Sequence, residues 1–181
     1  MAPRPARTDD ERRAHLRAIF DREFDYVWAS LRRLGVHPRD LEDVAQEVFV
    51  AVYRRLDDYD PARPLRPWLF AFALRCASDW RRLARHRVEV LGARSEVAAQ
   101  APGADEALCR AQDVDLALRA LECVEIERRA VFILFEFDGC PMKEIVESLG
   151  IPLFTGYSRL RVAREEFEAA AIRLQAQRGP R

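Results

Sequence analysis

The sequence predicts an all-α protein of two small helical domains joined by a flexible linker. Three observations carry that expectation. Apolar residues recur at intervals of three and four through most of the chain. Only 7 glycines and few β-branched runs leave little material for strands. The helical period lapses once, from Val88 to about Ala111, in a stretch of alanine, glycine and acids. The domains are accordingly placed at 8–90 and 112–176, with 91–111 as the linker.

The elements follow in order. Thr8-x-x-Glu11 is a capping box that opens a first helix, and Leu16, Ile19, Phe20, Phe24, Val27, Trp28, Leu31 and Leu34 form its stripe up to Gly35. A second helix starts near Pro38 and carries Leu41, Val44, Ala45, Val48, Phe49, Val52 and Leu56. Pro61, Pro64 and Pro67 stiffen the loop after it. A third helix runs from about Pro67 to Arg87. Beyond the linker, periodicity returns at Val114 and continues to Phe137, ending at Asp138-Gly139. A short helix from Pro141 to Leu149, a Gly150-Ile151-Pro152 turn and a last helix from about Phe154 to Gln175 complete the chain.

Composition excludes several classes. With 181 residues, 49% hydrophobic and 33% charged, the chain has enough apolar material to bury cores. Its longest apolar run, Trp68 to Leu74, is far short of the ~18–20 residues that span a bilayer. The charged N-terminus shows no secretory signal. The cysteines (Cys76, Cys109, Cys123, Cys140) form no C-x-x-C pair and the histidines are scattered, which suits free thiols in a reducing cytoplasm. No nucleophile–base pair, glycine-rich phosphate loop or metal-ligand spacing occurs, so neither catalysis nor a cofactor or metal is expected.

The 30 basic and 30 acidic residues cancel in sum but not in place. Seven acids face three arginines from Pro38 to Asp60, and seven arginines face Asp79 alone from Arg63 to Arg87. Eight acids face two arginines over 96–127, and six arginines face three glutamates from Ile151 onward. Acidic blocks of this kind can fold over basic ones and mask them from phosphate.

Three constellations stand out. The last two helices, joined by a glycine turn, have the pattern of a helix-turn-helix. Gly156, Leu160, Ala163 and Phe167 share the inward face of the second, leaving Thr155, Ser158, Arg159, Arg161 and Val162 opposite, with Tyr157 at the edge. Hydroxyls and arginines there suit phosphates and base edges; the alternative is an ordinary helical hairpin with a solvated face. In the third helix, Trp68, Phe70, Phe72 and Trp80 interleave with Arg63, Arg66, Arg75, Arg81, Arg82 and Arg85, either to stack unpaired bases or simply to fill a core. In the second, Asp43, Gln46, Glu47 and Val50 share one face, free for a partner or merely solvated.

With D-x-x-Q-E (Asp43 to Glu47), D-P-x-R-P…W-L-F (Asp60 to Phe70) and G-I-P…S-R-L…A-R (Gly150 to Arg164) in combination, the chain resembles bacterial sigma factors of the sigma-70 superfamily. Its short length and single linker are similar to the extracytoplasmic-function (ECF) group. The resemblance implies a cytoplasmic, non-enzymatic specificity subunit. Core RNA polymerase, through the clamp helices of its largest subunit and its flap, and promoter DNA are the implied partners, with room for an anti-sigma factor. It places polymerase binding on Asp43, Gln46 and Glu47, and minus-10 recognition on Asp60, Arg63, Arg66, Trp68, Arg75 and Trp80. Minus-35 recognition falls on Thr155, Tyr157, Ser158, Arg159 and Arg161. Gly156, Tyr157 and Val162 depart from residues common in the family, and the motif Phe135-Glu136-Phe137 places an aromatic where polar phosphate contacts are frequent. The competing readings are a stand-alone helix-turn-helix regulator and a sigma-like adaptor that has lost promoter opening.

Overall fold

A computed structural model describes the backbone of residues 8–91 and 105–178, with side chains for 8–85 and 112–177. Among these residues all regular structure is helical. Helix α1 (Asp9–Arg33) begins as expected: Thr8 Oγ1 accepts from the Glu11 amide at 3.3 Å, and the Glu11 carboxylate accepts from the Thr8 amide at 2.8 Å. It stops at Gly35, whose φ of +89° few side chains tolerate. A one-turn 3₁₀ helix, Pro38–Asp40, leads into α2 (Leu41–Arg54), which buries Leu41, Val44, Ala45, Val48, Phe49 and Val52. Helix α3 (Leu65–Leu91) starts two residues before Pro67 and outlasts Arg87. Pro67 is tolerated there because first-turn amides have no partner inside the helix. Helices α1, α2 and α3 pack against each other in a three-helix unit.

The second unit is α4 (Asp105–Glu122), α5 (Ile126–Phe132), α6 (Met142–Leu149) and α7 (Leu153–Arg178). Two expectations are corrected. Residues 105–111, expected in the linker, are helical, and the flexibility expected of the remainder concerns residues 92–104, outside the described residues. The periodic stretch from Val114 to Phe137 is not continuous. It breaks at Glu125, whose extended backbone and carboxylate cap α5 by accepting from the amides of Glu127 and Arg128 at 3.1 and 3.2 Å. Glutamate is a weak cap type in sequence, so nothing announced the break. Helix α5 then widens into a π turn, Ile133–Phe137. Helices α4, α5 and α6 all pack on α7.

The two units meet where α1 packs on α4 and α3 on α6, and one apolar core runs through both. Arg129, fully buried, lies at this seam. Its guanidinium donates to Leu34 O at 2.8 Å, to Glu122 O at 2.9 Å and twice to Val124 O, at 2.8 and 3.2 Å. A positive group thus covers the carbonyl ends of both α1 and α4, where helix dipoles are negative. Burial, with Arg81 nearby, pushes its pKa down to about 10. Gly35 makes room: a Cβ there would lie 2.7 Å from Arg129 Nη1. A second polar bridge joins the units, as Asp138 accepts from Tyr26 Oη at 2.8 Å and Arg33 Nη1 at 3.2 Å.

Candidate protein and nucleic-acid interfaces

On α2, Asp43, Gln46 and Glu47 are all exposed, opposite the buried stripe, with Val50 beside them 49% exposed. None of the three polar side chains has a hydrogen bond or ion pair among the described residues. The apolar stripe already packs the helix, so the patch contributes nothing to the core and is open to a partner.

The six residues expected on the loop and α3 do not form one surface. Trp68 and Arg75 share a face of α3 with Phe72, at i, i+4 and i+7. They line a small cleft of about 110 Å³ with Arg55, Asp58, Ala71 and Ser148 of α6. Trp68 meets Tyr59 at 4.9 Å and Phe72 edge-on at 4.8 Å, and Arg75 lies over the Phe72 ring at 5.9 Å. Asp60 accepts from the Ala62 amide at 3.0 Å, shaping the proline loop, and Arg63 sits 3.9 Å from both Asp60 and Glu147. Arg66 leaves the set. It turns to α1 over the Tyr26 ring and donates to one oxygen of the buried Glu23 at 2.9 Å, Arg22 donating to the other at 2.9 Å, so that the buried carboxylate is paired on both sides. Trp80, on another face, packs half-buried against the core. Of the residues around this cleft, Phe72 was among the aromatics expected, whereas Arg55, Asp58 and Tyr59 were not; the i, i+4, i+7 spacing of Trp68, Phe72 and Arg75 marks the shared face.

The helix-turn-helix is formed by α6 and α7. Gly150, with φ of +65°, ends α6. The inward face of α7 is as read: Gly156 is buried, Leu160 and Ala163 are in the core, and Phe167 packs on it, 5.0 Å from Phe132. Gly156 lets the helices close. A Cβ there would lie 2.6 Å from Val146 Cγ1 and 2.7 Å from Met142 Sδ. The residue is a packing contact. Tyr157, Ser158 and Arg161 are exposed, and Thr155 and Val162 half-buried. Arg159 leaves the open face to pair with Glu127 of α5. Arg161 pairs with Glu165 at 2.7 Å and Arg164 with Glu136 at 2.6 Å. Phe137 stays partly exposed, with the Arg33 guanidinium 5.0 Å from its ring centroid.

Comparison with known proteins bears on both units. The family model of Sigma-70 region 2 matches residues 19–87, covering most of α1 and all of α2, and a model of Sigma-70 region 4 matches residues 115–167. The ECF RNA polymerase sigma factor SigL of Mycobacterium tuberculosis is 32% identical over 151 residues, covering 83% of this chain and 85% of SigL. The RNA polymerase sigma factor CnrH of Cupriavidus metallidurans is 30% identical over 146 residues, 76% of each chain. The chain is an ECF sigma factor of the sigma-70 family.

The fold agrees. The solved structure of CnrH in complex with the cytosolic domain of CnrY is similar to this sigma factor with a TM-score of 0.58 at 26% identity, over 87% of both chains. Region 2 of this sigma factor holds the α2 patch and the α3 cleft, and region 4 holds the helix-turn-helix. Among the described residues no helix is long and apolar enough to cross a membrane.

Proposed function

We propose that this sigma factor binds core RNA polymerase in the cytoplasm and directs it to its promoters without covalent chemistry of its own. Asp43, Gln46 and Glu47 are the docking patch, suited to an arginine-bearing helical surface through charge-assisted hydrogen bonds. Trp68 and Arg75, with Phe72 and Arg55, hold an unpaired minus-10 strand by stacking and phosphate contact, with Arg63 at the rim. Tyr157, Ser158 and Arg161 face the minus-35 duplex. The observation that carries the reading is the α2 patch: three exposed, unpaired polar side chains on a helix whose packing is already satisfied. A stand-alone regulator has no use for it. A regulatory protein partner is a second expectation, supported by the solved complex of CnrH with the cytosolic domain of CnrY.

Reversing both charges, Asp43→Lys with Glu47→Lys, tests this. Exposed substitutions usually move stability by only about 0.5 kcal/mol, so thermal unfolding should be unchanged. Co-elution with purified core polymerase should be lost. Normal folding with unchanged holoenzyme formation removes the patch from the interface.

A further inference from the structure

Phe154, in the first turn of α7, is 83% exposed. Leu153 and Tyr157 beside it are 51% and 55% exposed, so one turn presents three large apolar side chains. Single exposed hydrophobics are common, whereas a contiguous group calls for a contact. The cations that would otherwise dominate this helix are engaged: Arg159 with Glu127, Arg161 with Glu165, Arg164 with Glu136. The start of the recognition helix therefore offers an aromatic ring and hydroxyls rather than free charge.

The stripe through Phe154 decides between occupants. Residues at i+4, i+7 and i+11 are Ser158, Arg161 and Glu165, all exposed and polar. A protein groove that takes a helix requires apolar anchors repeated along the stripe. Here the apolar character stops after one turn; a hydroxyl follows, and then Arg161 and Glu165, exposed and paired with each other at 2.7 Å. A short apolar turn followed by hydrogen-bonding groups suits base edges rather than an apolar groove. The apolar feature of a major-groove edge is the thymine methyl group, which phenylalanine contacts. We infer that Phe154 is a specificity-determining residue that reads a thymine methyl in the minus-35 duplex. This deepens the proposed promoter reading and rests on it.

The test uses holoenzyme assembled from core polymerase and the full chain. Duplexes are enriched from a random-sequence library, and each thymine of the enriched upstream element is replaced in turn by deoxyuridine, which removes only the methyl. At one position the replacement should weaken binding about fourfold, the effect of withdrawing one buried methyl group. Holoenzyme carrying Phe154→Ala, with an unchanged unfolding temperature, should bind the thymine and deoxyuridine duplexes equally. Ser158→Ala should retain the discrimination. An enriched element insensitive to deoxyuridine at every thymine, or the same sensitivity in Phe154→Ala, overturns the inference and leaves promoter reading standing. Enrichment of no upstream element overturns both. Unaltered selection by Phe154→Ala with loss of binding to another protein assigns the turn to a protein partner and also overturns it.

Discussion

Among the described residues, Arg129 holds its positive charge in the interior with carbonyl oxygens as its hydrogen-bond partners. Its planar fork of donors suits the task, since a guanidinium stays charged and bonds several acceptors in fixed geometry. Arg129→Ala would strand the carbonyls of Leu34, Glu122 and Val124 and leave a cavity. It should lower stability by about 3 kcal/mol or more, read from urea unfolding. Arg129→Lys should recover only part, because an ammonium cannot fork across two helix ends. A loss below about 1 kcal/mol for Arg129→Ala would place these bonds among ordinary surface ones. Two thiols make a pH prediction. Burial, aided by neighbouring acids, pushes Cys76 and Cys140 up to about 11. Each binds its proton more tightly folded than unfolded, so their contribution is full below the ordinary value of 9.0 and falls as pH rises toward about 11. Thermal unfolding of the Cys76→Ala, Cys140→Ala variant should fall less steeply across that window. At pH ~8 iodoacetamide should modify the exposed Cys123 well before either of them, as peptide mass mapping would detect.

The pairing of α6 with α7 depends on an absent side chain. Met142 and Val146 occupy the space that a Cβ at position 156 would need. Met142 is flexible and can yield, but Val146 is stiff at χ1 within a helix. Gly156→Ala should therefore cost about 1–3 kcal/mol by overpacking, despite the better helix propensity of alanine. In a Val146→Ala background the same methyl should cost much less. A urea double-mutant cycle measures the coupling, and strict additivity would refute the contact. The inward set Gly156, Leu160, Ala163 and Phe167 was legible from spacing alone, because helical period fixes which residues share a face. Which residue each outward side chain meets was not: Arg159 is drawn to Glu127, a partner that lies 32 positions away.

The two regions are held together by buried groups more than by charge blocks. Between them Arg63 and Glu147 stand 3.9 Å apart, both substantially exposed, and such pairs contribute about 0–1 kcal/mol. The bonds to Asp138 are better protected, since that carboxylate side chain is only 8% exposed; bonds of this type contribute about 1.5–3 kcal/mol. Burial holds the Asp138 carboxyl above its ordinary range despite both donors, and raises the Tyr26 phenol as well. Ser148 of region 4 meanwhile borders the Trp68 cleft of region 2. Tyr26→Phe with Asp138→Asn should loosen the pairing, enlarging the radius of gyration in small-angle scattering. The same variant should bind single-stranded DNA more tightly than the parent chain. Added salt should do much less, because screening acts on exposed charges. An unchanged radius of gyration would show that the apolar seam and Arg129 suffice.

Local information determined the helical class, the capping box at Thr8, the glycine stops, and the inward faces of α2 and α7. Each depends on neighbours within one or two turns, so period and cap chemistry specify it. The motif combination carried the family, and with it the division into regions 2 and 4. Tertiary packing decided the rest. It withdrew Arg66 to Glu23 and Arg159 to Glu127, added Arg55 and Asp58 to the cleft, and buried Arg129 against α1. It also broke the helix at Glu125 and left Phe154 bare. Burial and pairing across the fold depend on residues that meet only when distant segments pack, and a linear period carries no record of those meetings.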